Sequence, residues 1–202
     1  REVLSTNFSG LDTKIRRVQK VQLEILLEFD RICRDNSIAY QLFAGTLLGA
    51  IRHKGFIPWD DDIDVCMLRA DYRRFLEVCR SDLSPQFFLQ TYETDPGYIM
   101  QFAKLRKNKT LFVESSFKDS RMHQGIYIDI FPLDEVAPGT LMGVLQRLIL
   151  YMLGRINLAR NKALCMERES IAQRSTLMLC HYMTKLISAD WLNAAQTRTA
   201  CA

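Results

Sequence analysis

The chain has 202 residues, of which 48% are hydrophobic and 25% are charged. This composition supports one domain with a sizeable core, with or without a small appendage, and it excludes disorder as the main state. The formal net charge of +4 is too small for a protein that holds nucleic acid mainly by charge. A small anionic substrate is compatible with it.

Six cysteines lie at positions 33, 66, 79, 165, 180 and 201, and none forms a C-x-x-C pair. Most fall in apolar periodic segments, which predicts buried free thiols in a reducing compartment and argues against a disulfide framework or a zinc site. No signal-peptide pattern precedes the first predicted helix, and the longest apolar run, near residues 148–153, is too short to cross a bilayer. We therefore expect a cytoplasmic protein.

The apolar spacing predicts an alternation of helices and strands, followed by a helical region. In chain order, the predictions are a helix at 12–34, a strand at 38–44, a helix at 47–53, a strand at 62–68, a helix at 71–79, strands at 87–92, 101–105, 111–114 and 124–134, and helices from 139 to 192. This order favours an α/β (α+β) fold with a mixed or antiparallel sheet.

The segment from residue 45 to residue 65 combines a small-residue turn with four carboxylates. Asp60, Asp62 and Asp64 occupy alternate positions, so in a strand they would project from one face and could converge on a divalent cation. The Gly45-Thr46 turn offers unhindered backbone N–H groups at the start of a helix, which suits phosphate oxygens. Asp62 and Asp64 are the firm candidates for metal ligands, while Asp60 either binds the metal directly or supports the site.

Asp129 lies alone among apolar residues of the last predicted strand. Because burying an unpaired carboxylate costs several kcal/mol, a paired function is expected for it. It would complete the site with Asp62 and Asp64, or else it meets an arginine or a backbone donor.

Four basic residues are candidates for contact with phosphate. Arg52 and His53 lie between the turn and the acidic segment, and the alternative role for His53 is that of a helix cap. Lys104 and Arg106 share one face of their predicted strand and are expected either to bind donor phosphate or acceptor, or to be solvated. Trp59, beside the acids, is expected to pack in the core in preference to contacting an ammonium group.

Three segments together carry a resemblance to a known family: residues 45–65, the K-x-R at 104–106, and residues 125–134. They resemble the LicD family of phosphorylcholine transferases, whose relatives include fukutin and fukutin-related protein. The resemblance implies a nucleotidyltransferase-like core at residues 1–135, with a mixed sheet and flanking helices, followed by a helical portion at 136–202. Members of the family usually continue to a Pro-rich tail, so this chain is expected to be truncated or divergent there.

The resemblance also implies a reaction, with Asp62, Asp64 and Asp129 as the catalytic residues. Phosphocholine, or a related substituted phosphate, would pass from CDP-choline or a similar CDP-alcohol to a hydroxyl of a lipopolysaccharide or teichoic acid precursor. Magnesium, with manganese as the alternative, would be held by Asp62 and Asp64, while Asp129 would act as a further ligand or as the general base. The acceptor would be a glycan or lipid-linked glycan at the inner face of the membrane.

Two further expectations concern contact with a membrane and the alternatives to phosphotransfer. The apolar helix at 141–153 is expected to be buried against the sheet, with contact to a membrane surface as the alternative. The rival functions are a nucleotidyltransferase that moves the nucleotide itself and a catalytically silent module that binds nucleotides or glycans.

Overall fold

The computed structural model describes residues 8–114, 117–118, 120–134, 140–158 and 195. The elements, in chain order, are α1 (Phe8–Asp35), β1 (Gln41–Leu42), α2 (Ala44–His53), β2 (Asp64–Leu68), α3 (Arg69–Asp82), β3 (Phe87–Gln90), β4 (Ala103–Lys107), β5 (Tyr127–Leu133) and α4 (Leu141–Leu158). The described chain forms two compact units. The first consists of Arg1–Gln90, Phe102–Phe112 and His123–Leu133, so far as the structure describes these ranges, and it contains the whole described sheet.

Within the described residues, the five strands form one mixed sheet in the order β1-β2-β5-β4-β3. β2 and β5 are parallel, and the other neighbouring pairs are antiparallel. The predicted α/β (α+β) class with a mixed sheet is confirmed.

One face of this sheet is covered by α1 and α3. Ile25 and Phe29 of α1 are fully buried with Val65 of β2 and Ile130 of β5, and Phe29 also contacts Phe75 of α3 at a ring-centroid distance of 4.9 Å. Because side chains alternate between the faces of a strand, the residues next to this apolar set point to the opposite face. That opposite face carries the charged residues Asp64, Asp129 and Lys104.

Several predicted elements need correction. Residues 111–114 form no strand, the strand predicted at 38–44 is only the two residues of β1, and residues 60–63 precede β2 as irregular chain. Gly45 and Thr46, predicted as a turn, lie in the first turn of α2. Trp59 was expected in the core, but its side chain is 70% exposed.

The second unit consists of residues 91–101, 113–122 and 134–202, so far as the structure describes them. Tyr98, Ile99, Phe117 and Met122 form its small apolar cluster. The apolar side chains of α4 were expected to be buried, but several are exposed, among them Leu141, Leu148 and Tyr151.

Three cysteines of the described chain, Cys33, Cys66 and Cys79, are free and buried, which confirms the prediction for these positions. The cysteines at 165, 180 and 201, and the helical prediction beyond residue 158, lie outside the described residues. No helix in the described ranges combines the length and the apolar character needed to span a membrane.

Candidate active site

Three charged residues form a row across the face of the sheet opposite α1. Asp64 of β2 is the register partner of Asp129 of β5, and Asp129 is in turn the register partner of Lys104 of β4. Register partners lie side by side and point to the same face. The parallel pairing of β2 with β5 therefore brings together two carboxylates that are far apart in the sequence.

Asp129 forms an ion pair with Lys104. The Nζ atom of Lys104 lies 2.9 Å from Oδ1 of Asp129, and the two side chains are only 5% and 13% exposed. The same Nζ atom lies 3.3 Å from the ring centroid of Tyr127, which adds a cation–π contact. The partner of Asp129 is thus a lysine, whereas an arginine or a backbone donor was expected if Asp129 had no role in a metal site.

Asp60 and Asp62 lie beside this row and form, with Asp64, a cluster of mutually repelling carboxylates. The pKa of Asp62 is raised to about 7, first by burial and then by the charges of Asp64 and Asp60 and by a hydrogen bond that the protonated Asp62 carboxyl group donates to Asp60. Burial and the charge of Asp60 also raise the pKa of Asp64, while Lys104 lowers it. The cluster therefore concentrates negative charge, and among the groups that act on these pKa values Lys104 is the cation that opposes it.

The first turn of α2 supports the acids from one side. The Thr46 hydroxyl accepts a hydrogen bond from the backbone N–H of Asp64 at 2.8 Å, and the Phe43 N–H donates to the Asp64 carbonyl at 2.9 Å. A Cβ atom on Gly45 would lie 2.8 Å from Oδ2 of Asp60, so only glycine lets this carboxylate approach the helix so closely. In the structure, Gly45 and Thr46 therefore fix the positions of Asp60 and Asp64.

Two glutamines of α1 support the acidic segment from the other side. Gln19 donates through Nε2 to the carbonyls of Asp60 at 2.8 Å and Ile57 at 3.3 Å. Gln22 donates through Nε2 to the carbonyls of Asp61 at 2.7 Å and Tyr127 at 3.3 Å. Neither residue was predicted from the sequence. The pattern that could have indicated them is glutamine at positions on the face of α1 that otherwise carries apolar residues.

The remaining predicted basic residues are not all brought to the acids. Arg52 and His53 are exposed at the C-terminal end of α2, and Arg52 lies six residues after Thr46, a rise of about 9 Å along the helix. The His53 ring contacts exposed Trp59 at a centroid distance of 6.5 Å. Arg106 is fully buried, and its guanidinium group donates to the Gln90 side chain and to the carbonyl of Gly125.

A cavity of about 140 Å³ lies between α1, α2 and the acidic segment. Its walls are apolar apart from Thr46 and Asp60. Over the described ranges, no group of three or more His, Cys, Asp or Glu side chains is arranged as a preformed metal site. A metal ion at the acids would accordingly need ligands from water or substrate in addition to the protein.

Comparison with known proteins places these residues in a family. Residues 37–146 match the family described as LicD/FKTN/FKRP, nucleotidyltransferase domain. Over 115 residues the chain is 41% identical to the lipopolysaccharide cholinephosphotransferase LicD of Haemophilus influenzae, which covers 56% of this chain and 43% of that protein. An uncharacterized protein of Rickettsia typhi is 31% identical over 111 residues, covering 55% of this chain and 33% of that protein.

The chain thus spans less than half the length of these curated relatives. The matched range contains α2, the acidic segment and every strand of the described sheet. It begins after α1, which supplies Gln19 and Gln22. Because the match extends over more than half of its residues, the chain belongs to the LicD/FKTN/FKRP nucleotidyltransferase-domain family.

Proposed function

We propose that this chain is the catalytic part of a phosphotransferase that moves phosphocholine, or a similar substituted phosphate, from a CDP-linked donor to a hydroxyl of a cell-surface glycan precursor. The observation that carries the proposal is the row of Asp64, Asp129 and Lys104, with half-buried Asp62 beside it, in a chain of this family. The relative from H. influenzae is named a lipopolysaccharide cholinephosphotransferase, which supports this choice of transferred group and acceptor.

Magnesium, or manganese in its place, fits the acid cluster. The raised pKa values of Asp62 and Asp64 indicate that their charged forms lack sufficient compensation, which a cation would supply. Magnesium is usually bound by one or two carboxylates together with water and substrate phosphates, so Asp62 and Asp64 suffice as protein ligands. When bound, the ion would neutralise the donor phosphates during an in-line displacement.

We assign Asp129 to the acceptor hydroxyl. The Lys104 ammonium group already supplies a positive charge beside the Asp129 carboxylate, so a metal ion is not needed there. In the reaction, the acceptor oxygen forms a bond to the phosphorus that carries the alcohol, and the bond from this phosphorus to the oxygen bridging to CMP breaks. CMP leaves, and Asp129 accepts the proton of the hydroxyl.

The other predicted binding residues are assigned by position. The first turn of α2, at Gly45 and Thr46, favours an anion through its backbone N–H groups, and the exposed cations Arg52 and His53 are available to the distal part of the donor. Exposed Trp59 offers an aromatic face to a quaternary ammonium group. A lipid-linked acceptor would bring the protein to the inner face of the membrane.

The second candidate function is nucleotidyl transfer, which the description of the matched family favours. The two reactions use different donors and release different leaving groups, so the products distinguish them. Phosphotransfer from a CDP-alcohol releases CMP and leaves phospho-alcohol on the acceptor. Nucleotidyl transfer from a nucleoside triphosphate releases pyrophosphate and leaves the nucleotide on the acceptor.

The experiment is product analysis by mass spectrometry with the full-length protein, magnesium and a glycan acceptor. CDP-choline, CDP-ethanolamine, CDP-glycerol, CDP-ribitol and CTP are supplied separately as donors. We expect release of CMP and an acceptor mass increased by one phospho-alcohol for at least one donor. A nucleotidylated acceptor would support the second candidate, and tight CDP binding without turnover of any donor would indicate a silent binding module.

A further inference from the structure

Two buried glutamines on α1 contact the acidic segment of the first unit, although α1 precedes the range matched by the family. Gln19 and Gln22 are 3% and 2% exposed, and they lie three residues apart on one face of the helix. Farther along the same helix, the buried positions are apolar, as at Ile25, Phe29 and Ile32. Buried amide groups at this end of the helix require specific partners.

Those partners are backbone carbonyls of the acidic segment. Asp60 and Asp61 belong to no helix or strand, so their carbonyls lack the regular ladder partners of a sheet. Gln19 donates to the carbonyl of Asp60, and Gln22 donates to that of Asp61. The two carboxamides thus fix the backbone directly before Asp62.

Gln22 also joins the two halves of the acid site. Its second acceptor is the carbonyl of Tyr127, at the start of β5 and two residues before Asp129. One carboxamide therefore holds the segment that carries Asp62 and the strand that carries Asp129. This contact acts together with the bond that the Asp129 N–H donates to the Ile63 carbonyl at 2.8 Å.

We propose that Gln22, with Gln19 in support, is a positioning residue that keeps the acidic segment in register with β5 against the mutual repulsion of its carboxylates. The catalytic consequence rests on the proposed phosphotransfer function. Reactions that depend on fixed geometry are sensitive to displacements of about 1 Å, which can reduce the rate about a hundredfold. Neither glutamine touches substrate in this arrangement, because both donate to backbone carbonyls.

The test compares Gln22→Met with Ile32→Val in the full-length protein. Methionine keeps the length of the side chain and removes its donors, whereas Ile32→Val weakens the core at the other end of α1 and leaves the acidic segment untouched. Hydrogen exchange of the backbone amides at residues 60–64 is measured without metal, and kcat and KM for the CDP-linked donor are measured with magnesium. Gln19→Met, which removes the donor to the carbonyls of Asp60 and Ile57 and the acceptor of Arg16, serves as a second variant if Gln22→Met does not fold.

We expect Gln22→Met to accelerate exchange at residues 60–64 about tenfold, since lost buried hydrogen bonds allow local opening. We also expect kcat to fall about a hundredfold with little change in KM, and Ile32→Val to alter neither quantity. Unchanged exchange in the segment, or a fall in kcat no greater than that of Ile32→Val, would overturn the proposal. If the native protein turns over no donor, the proposed function fails, and the exchange measurement alone decides the positioning role.

Discussion

Asp62 has the most strongly raised pKa among the carboxyl groups for which a shift is resolved in the described chain, and its titration has a direct effect on stability. Its pKa lies near 7 in the folded state against an ordinary value of 3.8, mainly because of burial and then because of Asp64 and Asp60. Between these two pH values the folded protein holds a proton that the unfolded chain releases. Stability contributed by Asp62 is therefore present at acidic pH and is lost as the pH rises through 7.

The titration of Asp62 predicts that the protein is less stable at pH 8 than at pH 5. In the presence of a chelator, the free energy of unfolding of the native protein should fall between these pH values, and Asp62→Asn should reduce the fall, because asparagine does not titrate. Urea denaturation at both pH values measures it. The lowered pKa of Glu28 acts in the opposite direction but at more acidic pH, outside the interval. An Asp62→Asn protein with the same pH dependence as the native protein would contradict the assignment.

The ion pair of Lys104 and Asp129 supports a second prediction at this scale. Lys104→Met would leave the Asp129 carboxylate almost buried without its cation, which typically costs about 3–5 kcal/mol. The double variant Lys104→Met/Asp129→Leu should recover much of this loss. Arg80→Met, which breaks the exposed pair with Glu77, is the control and should cost less than about 1 kcal/mol. Equal effects of the two single variants in urea denaturation would contradict the importance of burial.

At the scale of elements, the contact between α2 and β2 depends on one hydroxyl group. Thr46→Val keeps the shape of the side chain but removes the acceptor for the Asp64 N–H, which should cost about 1–3 kcal/mol of unfolding free energy. Thr46→Ser retains the acceptor and should cost clearly less. Chemical denaturation of the two variants decides the point, and equal losses would show that the hydrogen bond is not the cause.

The helices and strands were predictable where their pattern is local. Apolar spacing indicated α1 and α3, because burial of one helical face repeats every three to four residues. It failed at residues 111–114 and 62–63, since a strand also needs a partner with matching register. The N–H of Phe112 donates to the carbonyl of Gln124, but this hydrogen bond does not extend into a ladder between strands.

At the scale of the whole site, the sequence indicated which residue types carry the chemistry but not how they are joined. The spacing of Asp62 and Asp64 and the isolation of Asp129 were visible in the sequence. The register that sets Asp64 beside Asp129, and Asp129 beside Lys104, results from pairing between distant strands. The support from Gln19 and Gln22 was hidden for the same reason, because their acceptors lie about 40 to 105 residues away in the chain.

The central claim is that the acids on the sheet face, and not the acidic segment as a whole, perform phosphotransfer. Asp64 and Asp61 lie three residues apart and have the same charge, but Asp64 lies in the row and Asp61 is exposed. The most direct test is the rate of magnesium-dependent CMP release from the CDP-linked donor in Asp64→Asn and Asp61→Asn. We predict a loss of at least about a hundredfold for Asp64→Asn and a nearly native rate for Asp61→Asn. A native rate in folded Asp64→Asn protein would contradict the account.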